Sequence, residues 1–276
     1  MSSSSPPAPA VRPSPPVGTA DSPGISANWP TLFLASGQGF TSVDRVNGDT
    51  AFSSSTVAYN NGAATVPTSA PPAISTTSPS NAIFASGSPD DMVRRAFQTT
   101  CAPLPCWQDV GGSFAPGPAG ANLSSTPVFD AANIYVADDK AKVYAFSRSA
   151  GGAAAWSVDF RAALPSGWPS VSNSATVSPP ILLQGGTALV VRSDGVVALA
   201  SAAGAVPVLK MAALTGLPAA PVLDSRGTGG VAYVHDGEGW IYALQLASPP
   251  AIPSSTVWPR PGRDSCNSRN AASLCQ

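Results

Sequence analysis

Charge is what this chain has least of. Charged residues make up 11% of its 276 positions, against roughly 25% in an average soluble protein. There is a single glutamate, Glu238, a single histidine, His235, and only three lysines, Lys140, Lys142 and Lys210. With a formal net charge of -1 and no run of Lys or Arg, the sequence carries no electrostatic footprint for nucleic acid and no basic patch for an anionic membrane. No stretch approaches the roughly 20 apolar residues of a membrane helix. G-x-S-x-G, a Gly-rich phosphate loop, C-x-x-C and the EF-hand spacing are all missing, which removes the commonest hydrolase, nucleotide, zinc and calcium signatures. Residues 1–7 have neither a basic start nor an apolar core, so no signal peptide is expected in the sequence as it stands.

What is abundant is proline and glycine, 30 and 25 residues, set in a chain that is 43% hydrophobic. Such punctuation breaks long helices and suits many short strands joined by turns. Residues 1–28, rich in Ser, Pro and Ala, hold too few large apolar groups to fold alone and are expected to be a disordered linker. Beyond them one pattern recurs. Its clearest copy runs from Pro127 to Trp156: Val128-Phe129, a turn, Ile134-Tyr135-Val136-Ala137, a turn, Val143-Tyr144-Ala145-Phe146, a glycine pair and Trp156. Weaker copies start near Leu32, Ala82, Ile181 and Val222. An alanine before a large apolar residue in the third strand gives a register mark at Ala96, Ala145, Ala198 and Ala243, with steps of 49, 53 and 45 residues. That is the period of a four-stranded blade. The apolar runs are nearly continuous instead of alternating, as expected of sheets covered on both faces.

The expectation is therefore an all-β chain, a β-propeller of about five four-stranded antiparallel blades over residues 29–264, either a small closed ring or an open arc, followed by a tail at 265–276. The stretch Ser88-Pro89-Asp90-Asp91 carries helix-start signals. The repeat register instead asks for a strand at Val93 to Phe97, and a single helical turn before it satisfies both.

Four cysteines fall as two close pairs, Cys101 with Cys106 and Cys266 with Cys275. Their spacing fits neither zinc nor a redox dithiol. Two local disulfides are the reading and free buried thiols the alternative. Disulfides imply an extracellular, periplasmic or cell-surface location.

The third copy, with S-x-x-P-V, I-Y-V-A-D, V-Y-A-F, a glycine turn and Trp156, resembles the blade of the pyrroloquinoline-quinone-type propellers, the quinoprotein alcohol dehydrogenase-like superfamily. The closing Trp258-Pro259 with Asp264 resembles an element near blade ends in secreted bacterial members. The resemblance covers roughly residues 29–264. It implies a propeller whose relatives include both quinone-dependent dehydrogenases and non-enzymatic scaffolds. This chain departs from the dehydrogenase pattern: it has no adjacent cysteine pair, and almost no carboxylates lie on the expected inner strands. The non-enzymatic branch is expected, with no cofactor, no metal and no catalytic residue assigned.

His235 beside Asp236 has no nucleophile near it in sequence and reads as a surface residue. Asp138-Asp139 and Asp236-x-Glu238 read as solvated turn acids, Arg94-Arg95 as a solvated face, and Trp107 and Trp156 as packing between blades. Two function classes stay open. One is a non-catalytic scaffold or binding module of the bacterial envelope or a secreted protein, with a protein or cell-surface glycan as partner. The other is a propeller enzyme, a degenerate quinoprotein or glycan hydrolase, working from a central channel.

Overall fold

The computed structural model describes residues 125–148, 152–162, 164–168, 174–214, 218–224 and 230–247, together with Leu123 and the strands between 24 and 109. Among the described residues nineteen strands form five antiparallel meanders. Sheet 1 holds β1 (Gly24–Ile25), β2 (Thr31–Ser36), β3 (Gly39–Asp44) and β4 (Phe52–Ser53). Sheet 2 holds β5 (Ala73–Ser75), β6 (Asn81–Ala85), β7 (Val93–Thr100) and β8 (Pro105–Asp109). Sheet 3 follows with β9 (Val128–Phe129), β10 (Asn133–Ala137), β11 (Lys142–Ser147) and β12 (Trp156–Asp159). Sheet 4 has β13 (Ile181–Leu183), β14 (Thr187–Val191), β15 (Val196–Ser201) and β16 (Gly204–Lys210), and sheet 5 has β17 (Val222–Asp224), β18 (Val231–His235) and β19 (Ile241–Gln245).

In every sheet the strands pair in chain order, and consecutive sheets touch through their first strands, β1 with β5 and β9 with β13. Serial up-and-down sheets stacked face to face in this way are propeller blades. The fold is all-β and of the propeller type.

Sheets 3 and 4 are hydrophobic all through because both faces are covered. Phe129, Tyr135, Phe146 and Phe160 are fully buried, in one cluster that runs from Ala73 and Val93 of sheet 2 to Val190 and Ala198 of sheet 4. Burial of each such side chain contributes about 1.5–3 kcal/mol. A second cluster joins sheet 4, through Ile181, Leu189 and Val191, to Leu223, Ala232 and Val234 of sheet 5. Sheet 4 thus has a near face toward sheet 3 and a far face toward sheet 5, and in sheets 3 and 5 the far face is likewise the one turned away from the preceding sheet. The far face of sheet 3 carries one row across all four strands, Val128, Tyr135, Ala145 and Trp156. The small Ala145 lets the Tyr135 and Trp156 rings on either side of it come within 5.8 Å between centroids.

The structure corrects the sequence reading at three points. Strand β1 lies inside the stretch assigned to the linker, so the first sheet begins before residue 28; two residues of an edge strand are too short a signal to read against a proline-rich background. The register mark slips in sheet 4. The tips match where Asp138 N–H donates to Lys142 O, Arg192 N–H to Val196 O and Asp236 N–H to Trp240 O. On that alignment Leu199, not Ala198, is the counterpart of Ala145 and Ala243, and Ala198 lies on the near face. A one-residue shift reverses the face in a strand, which the alanine count alone does not reveal. Sheet 5 shows three strands among the described residues, which end at 247. Its burial also alternates, because its far face is uncovered: Val222 is 57% and Ile241 73% exposed.

Val93 opens β7, in agreement with the strand reading there; the helical turn suggested before it lies outside the described residues. So do Cys101, Cys266 and Cys275, and Cys106 is described only as backbone of β8, opposite Thr99.

Candidate functional site

The buried charged side chains that are described, Asp138, Arg192 and Asp236, stand at the hairpin tips joining the second and third strands. At the β10–β11 tip, Asp138 is 1% exposed, and its Oδ1 accepts from the N–H of Lys140 at 2.9 Å and of Lys142 at 2.8 Å. Its Oδ2 accepts from the Tyr144 hydroxyl at 2.8 Å. The β18–β19 tip repeats this arrangement. Asp236 Oδ1 accepts from the N–H of Glu238 and Trp240, both at 2.9 Å, and Oδ2 from the Tyr242 hydroxyl, also at 2.9 Å. An acid six residues before a tyrosine thus closes two of the three described tips. Side-chain oxygens that accept from N–H groups two and four residues ahead hold a turn whose backbone donors lack ladder partners.

The tip of sheet 4 does the same work with the charge reversed. Arg192 stands where the other two have Asp, and Ala198 where they have Tyr. Arg192 Nε and Nη2 donate to the two oxygens of Asp194 at 2.8 and 2.9 Å, and Nη1 donates to the Phe160 carbonyl at 2.7 Å. The planar guanidinium fork suits both the paired carboxylate and the extra carbonyl. The third bond ties sheet 4 to the end of sheet 3. Arg161 makes a second tie, donating to the carbonyls of Ala175 and Asp139.

Burial and bonding set the acids apart. Burial pushes the Asp138 carboxyl above its ordinary range, against the opposing bonds from Lys142 and Tyr144. At Asp194 burial also pushes upward, but the Arg192 hydrogen bond and charge outweigh it and the carboxyl sits low. Asp236 is lowered too, because the donors Trp240, Tyr242 and Glu238 together overcome its desolvation. Burial followed by the adjacent Asp138 charge holds the Tyr144 hydroxyl well above its usual range, so it stays a donor.

A buried serine marks the entry to sheets 3 and 4. Ser125 Oγ accepts from Ala137 N–H at 2.7 Å and Ser178 Oγ from Val191 N–H at 3.0 Å, each serine three residues before the first strand. Glycines let neighbouring segments come close. A side chain on Gly195, at φ +91°, would reach within 2.4 Å of the Met211 carbonyl.

The acids read as solvated turn groups are therefore corrected for Asp138 and Asp236, which are buried acceptors; Asp139 is half-buried and Glu238 exposed. His235 lies at the end of β18, exposed, with Nδ1 3.3 Å from the Asp236 carbonyl. Trp156 is half-buried against the main core. Lys140 and Lys142 fall at the β10–β11 tip, and Lys210 Nζ donates to the carbonyls of Asp194 and Met211. The side chains of Arg94, Arg95 and Trp107 lie outside the description. The tyrosine partners, the Arg192 fork and the serine bonds were not anticipated as functional contacts, although the spacing D-x-x-x-x-x-Y occurs twice in the sequence and signals the tips.

Two apolar clefts flank the junction of sheets 4 and 5. One, of about 140 Å³, is lined by Val191, Leu214, Val222, Tyr233 and Ile241 among others. The other, of about 240 Å³, lies between Leu183, Leu189, Leu199, Val208 and Leu244. Among the described residues no three His, Cys, Asp or Glu side chains stand together as metal ligands, and no helix is long and apolar enough to cross a membrane.

Fold and tips together define a propeller-type repeat protein whose described charged groups brace hairpins and adjacent sheets. No family model and no curated protein matches the sequence. Among solved structures the chain is similar to the extracellular domain of BT4673, assigned to a one component system of B. thetaiotaomicron. That match has a TM-score of 0.46 at 10% identity, covering 83% of this chain and 27% of that one. It is also similar to the β-propeller domain of Cps50 (Swd1) from Myceliophteria thermophila, with a TM-score of 0.43 at 13% identity, covering 85% of this chain and 75% of that one.

Proposed function

We propose that the chain is a non-catalytic propeller scaffold or binding module of the bacterial cell envelope or of a secreted protein, from the non-enzymatic side of the pyrroloquinoline-quinone-type propellers. It presents its surface to a protein or a cell-surface glycan. One observation carries the reading: the buried carboxylates and the buried guanidinium of sheets 3 to 5 are used up in holding hairpin tips and neighbouring sheets. A quinone cofactor needs charged or metal partners for its carboxylates, because burying such an anion unpaired costs several kcal/mol. The first strands offer Val128-Phe129 and Ile181-Leu182-Leu183, all buried and apolar.

Purified protein is soaked with the quinone and calcium, then assayed by absorbance and dye-linked alcohol oxidation. Neither retention nor turnover is expected; stoichiometric retention with turnover would make the enzyme reading the leading one. The exported location rests on the disulfides Cys101–Cys106 and Cys266–Cys275. Thiol titration in denaturant is expected to find none free, and four free thiols would remove the argument for export.

A further inference from the structure

Sheets 1 to 4 each end in a fourth strand, and among the described residues none pairs with the outer edge of β19. Burial records the difference. On the outer strand of sheet 3, Val158 is 6% exposed, because β15 and β16 of the next sheet lie against that strand. On the outer strand of sheet 4, Val206 is 56% and Val208 47% exposed. Val208 and Leu199 of sheet 4 line the cleft of about 240 Å³ together with Leu244 and Leu246 of sheet 5. The result is a shelf: an apolar floor one strand wide, bounded on one side by the backbone of β19.

That backbone is set for pairing. Leu246 N–H donates to Gly230 O and Trp240 O accepts from Asp236 N–H, so the even-numbered residues of β19 face β18. By the alternation of an antiparallel strand, Ile241 and Ala243 turn their N–H and C=O groups to the outer edge. Outer strands elsewhere carry features that discourage further pairing. Strand β4 has two residues, β8 opens on Pro105 and closes on Asp109, β12 closes on Asp159, and β16 holds Pro207, Lys210 and a register shift. Strand β19, Ile241–Gln245, has no proline and no charge, and its register with β18 is unbroken.

We propose that this shelf binds an extended peptide segment of a partner protein by strand addition, in the place of a fourth strand of sheet 5. The inference rests on the binding-module reading above and selects a protein over a glycan as partner. Sheet 3 shows which side chains suit the place: Trp156 lies opposite Ala145 and Val158 opposite Val143. Ala243 and Ile241 hold the corresponding positions in β19, and Tyr233 stands beside Ala243 as Tyr135 does beside Ala145. The peptide therefore carries an aromatic residue opposite Ala243 and a β-branched one opposite Ile241, with apolar residues at the alternate positions that face the floor. A second copy does not fit. Edge-to-edge pairing of two β19 strands about a two-fold axis would bring the partner's outer strand of sheet 4 under β19, where Leu199 already lines the cleft with Leu244.

The test uses the full chain and the capped peptide Lys-Leu-Trp-Val-Val-Asp-Lys, with Trp set opposite Ala243, followed by calorimetry and by amide exchange in NMR. Saturable one-to-one binding is expected, with slower exchange at Ile241 and Ala243 while Leu244 changes little. N-methylation of the Trp and second Val nitrogens, which face β19, should weaken binding by about tenfold or more; methylation of the Leu and first Val nitrogens, which face away, should weaken it less than about threefold. Val208→Lys puts a charge on the floor at an exposed position and should weaken binding by about tenfold without shifting the urea midpoint. Absence of saturable binding overturns the proposal, and so does an equal loss from both methylation patterns, which would mean apolar adhesion alone. An Ala243 amide already protected in the peptide-free chain overturns it as well, since the place is then filled from within the chain, or by a second copy if the protection grows with protein concentration. The non-catalytic reading stands or falls separately, on quinone retention with turnover.

Discussion

Replacing Asp138 by alanine tests whether the hairpin tips are held by geometry or by charge. The substitution takes the acceptor from three donors at once: Lys140 N–H, Lys142 N–H and the Tyr144 hydroxyl. A buried donor without a partner costs about 1–3 kcal/mol. The Tyr144 hydroxyl bears this in full, being buried, whereas the two amides lie at a turn that water reaches in part. The loss should therefore be about 2–4 kcal/mol rather than three full penalties. For a domain of this size that lowers Tm by about 5–15 °C. Asp138→Asn is the informative control. Its amide oxygen still serves both N–H groups, and its NH2 donates to the Tyr144 oxygen, so the tip keeps its bonds without the charge. Because burial already holds the Asp138 carboxyl above its ordinary range, removing the charge should cost less than about 1 kcal/mol at neutral pH. Calorimetry and urea melts on the two variants decide it. If asparagine proves as damaging as alanine, charge and not bond geometry holds the tip. If alanine costs under about 0.5 kcal/mol, within the range of ordinary surface changes, the tip is not structural at all.

Gly195→Ala should destabilise by about 2–5 kcal/mol, from a left-handed backbone plus a carbonyl clash at 2.4 Å. Gly204→Ala, at φ +111° with open space around it, should cost only the backbone share of about 1–2 kcal/mol in the same urea titration. Ser178→Ala leaves the Val191 amide without its acceptor in a fully buried place; a loss of about 1–3 kcal/mol is expected, with faster exchange of the Val191 amide as its local sign. The acids should also separate by pH. A carboxyl lowered in the fold, as at Asp194 and Asp236, gives stability that is present above its unfolded pKa and lost as pH falls through the folded one. A raised carboxyl, as at Asp138, gives stability that is lost as pH rises through the folded value. Asp138→Asn should therefore gain on the unmodified protein as pH rises from 3 to 7, while Asp236→Asn should lose ground; parallel curves would contradict the assignment.

The blade order and the strand positions were legible because sheets buried on both faces need unbroken apolar runs, as at Ile134 to Ala137 and Ile181 to Leu183. The third-strand alanine was legible as a landmark but not as a register. It owes its place in sheet 3 to the crowding of Tyr135 and Trp156, and sheet 4 has no such pair to accommodate. The acids at the tips were visible, but their burial was not, since a carboxylate at a tight turn reads the same whether a neighbouring sheet covers it or water does. Arg192 was the least legible residue. It occupies the position of Asp138 and Asp236 with the opposite sign, a substitution that makes sense only when the carbonyl of Phe160 and the carboxylate of Asp194 are seen around it. A role kept by contrary chemistry leaves little in common for a sequence comparison to find.

The unequal faces of each sheet bear on how such a chain changes over evolutionary time. The two junctions described on both sides, sheet 3 with sheet 4 and sheet 4 with sheet 5, each join a far face to a near face, so the stacking carries a direction but no fixed count. The near face accepts different fillings, Val190 with Ala198 in sheet 4 and Val234 with Tyr242 in sheet 5, and both seal against their neighbour. A duplicated or deleted repeat therefore meets a matching surface at each cut, and needs only a new loop to join. Lineages built on this plan are free to differ in blade number while keeping the same junction, and the far face of sheet 5, with Val222, Tyr233 and Ile241 open to solvent, is the kind of surface on which such a gain would be seated.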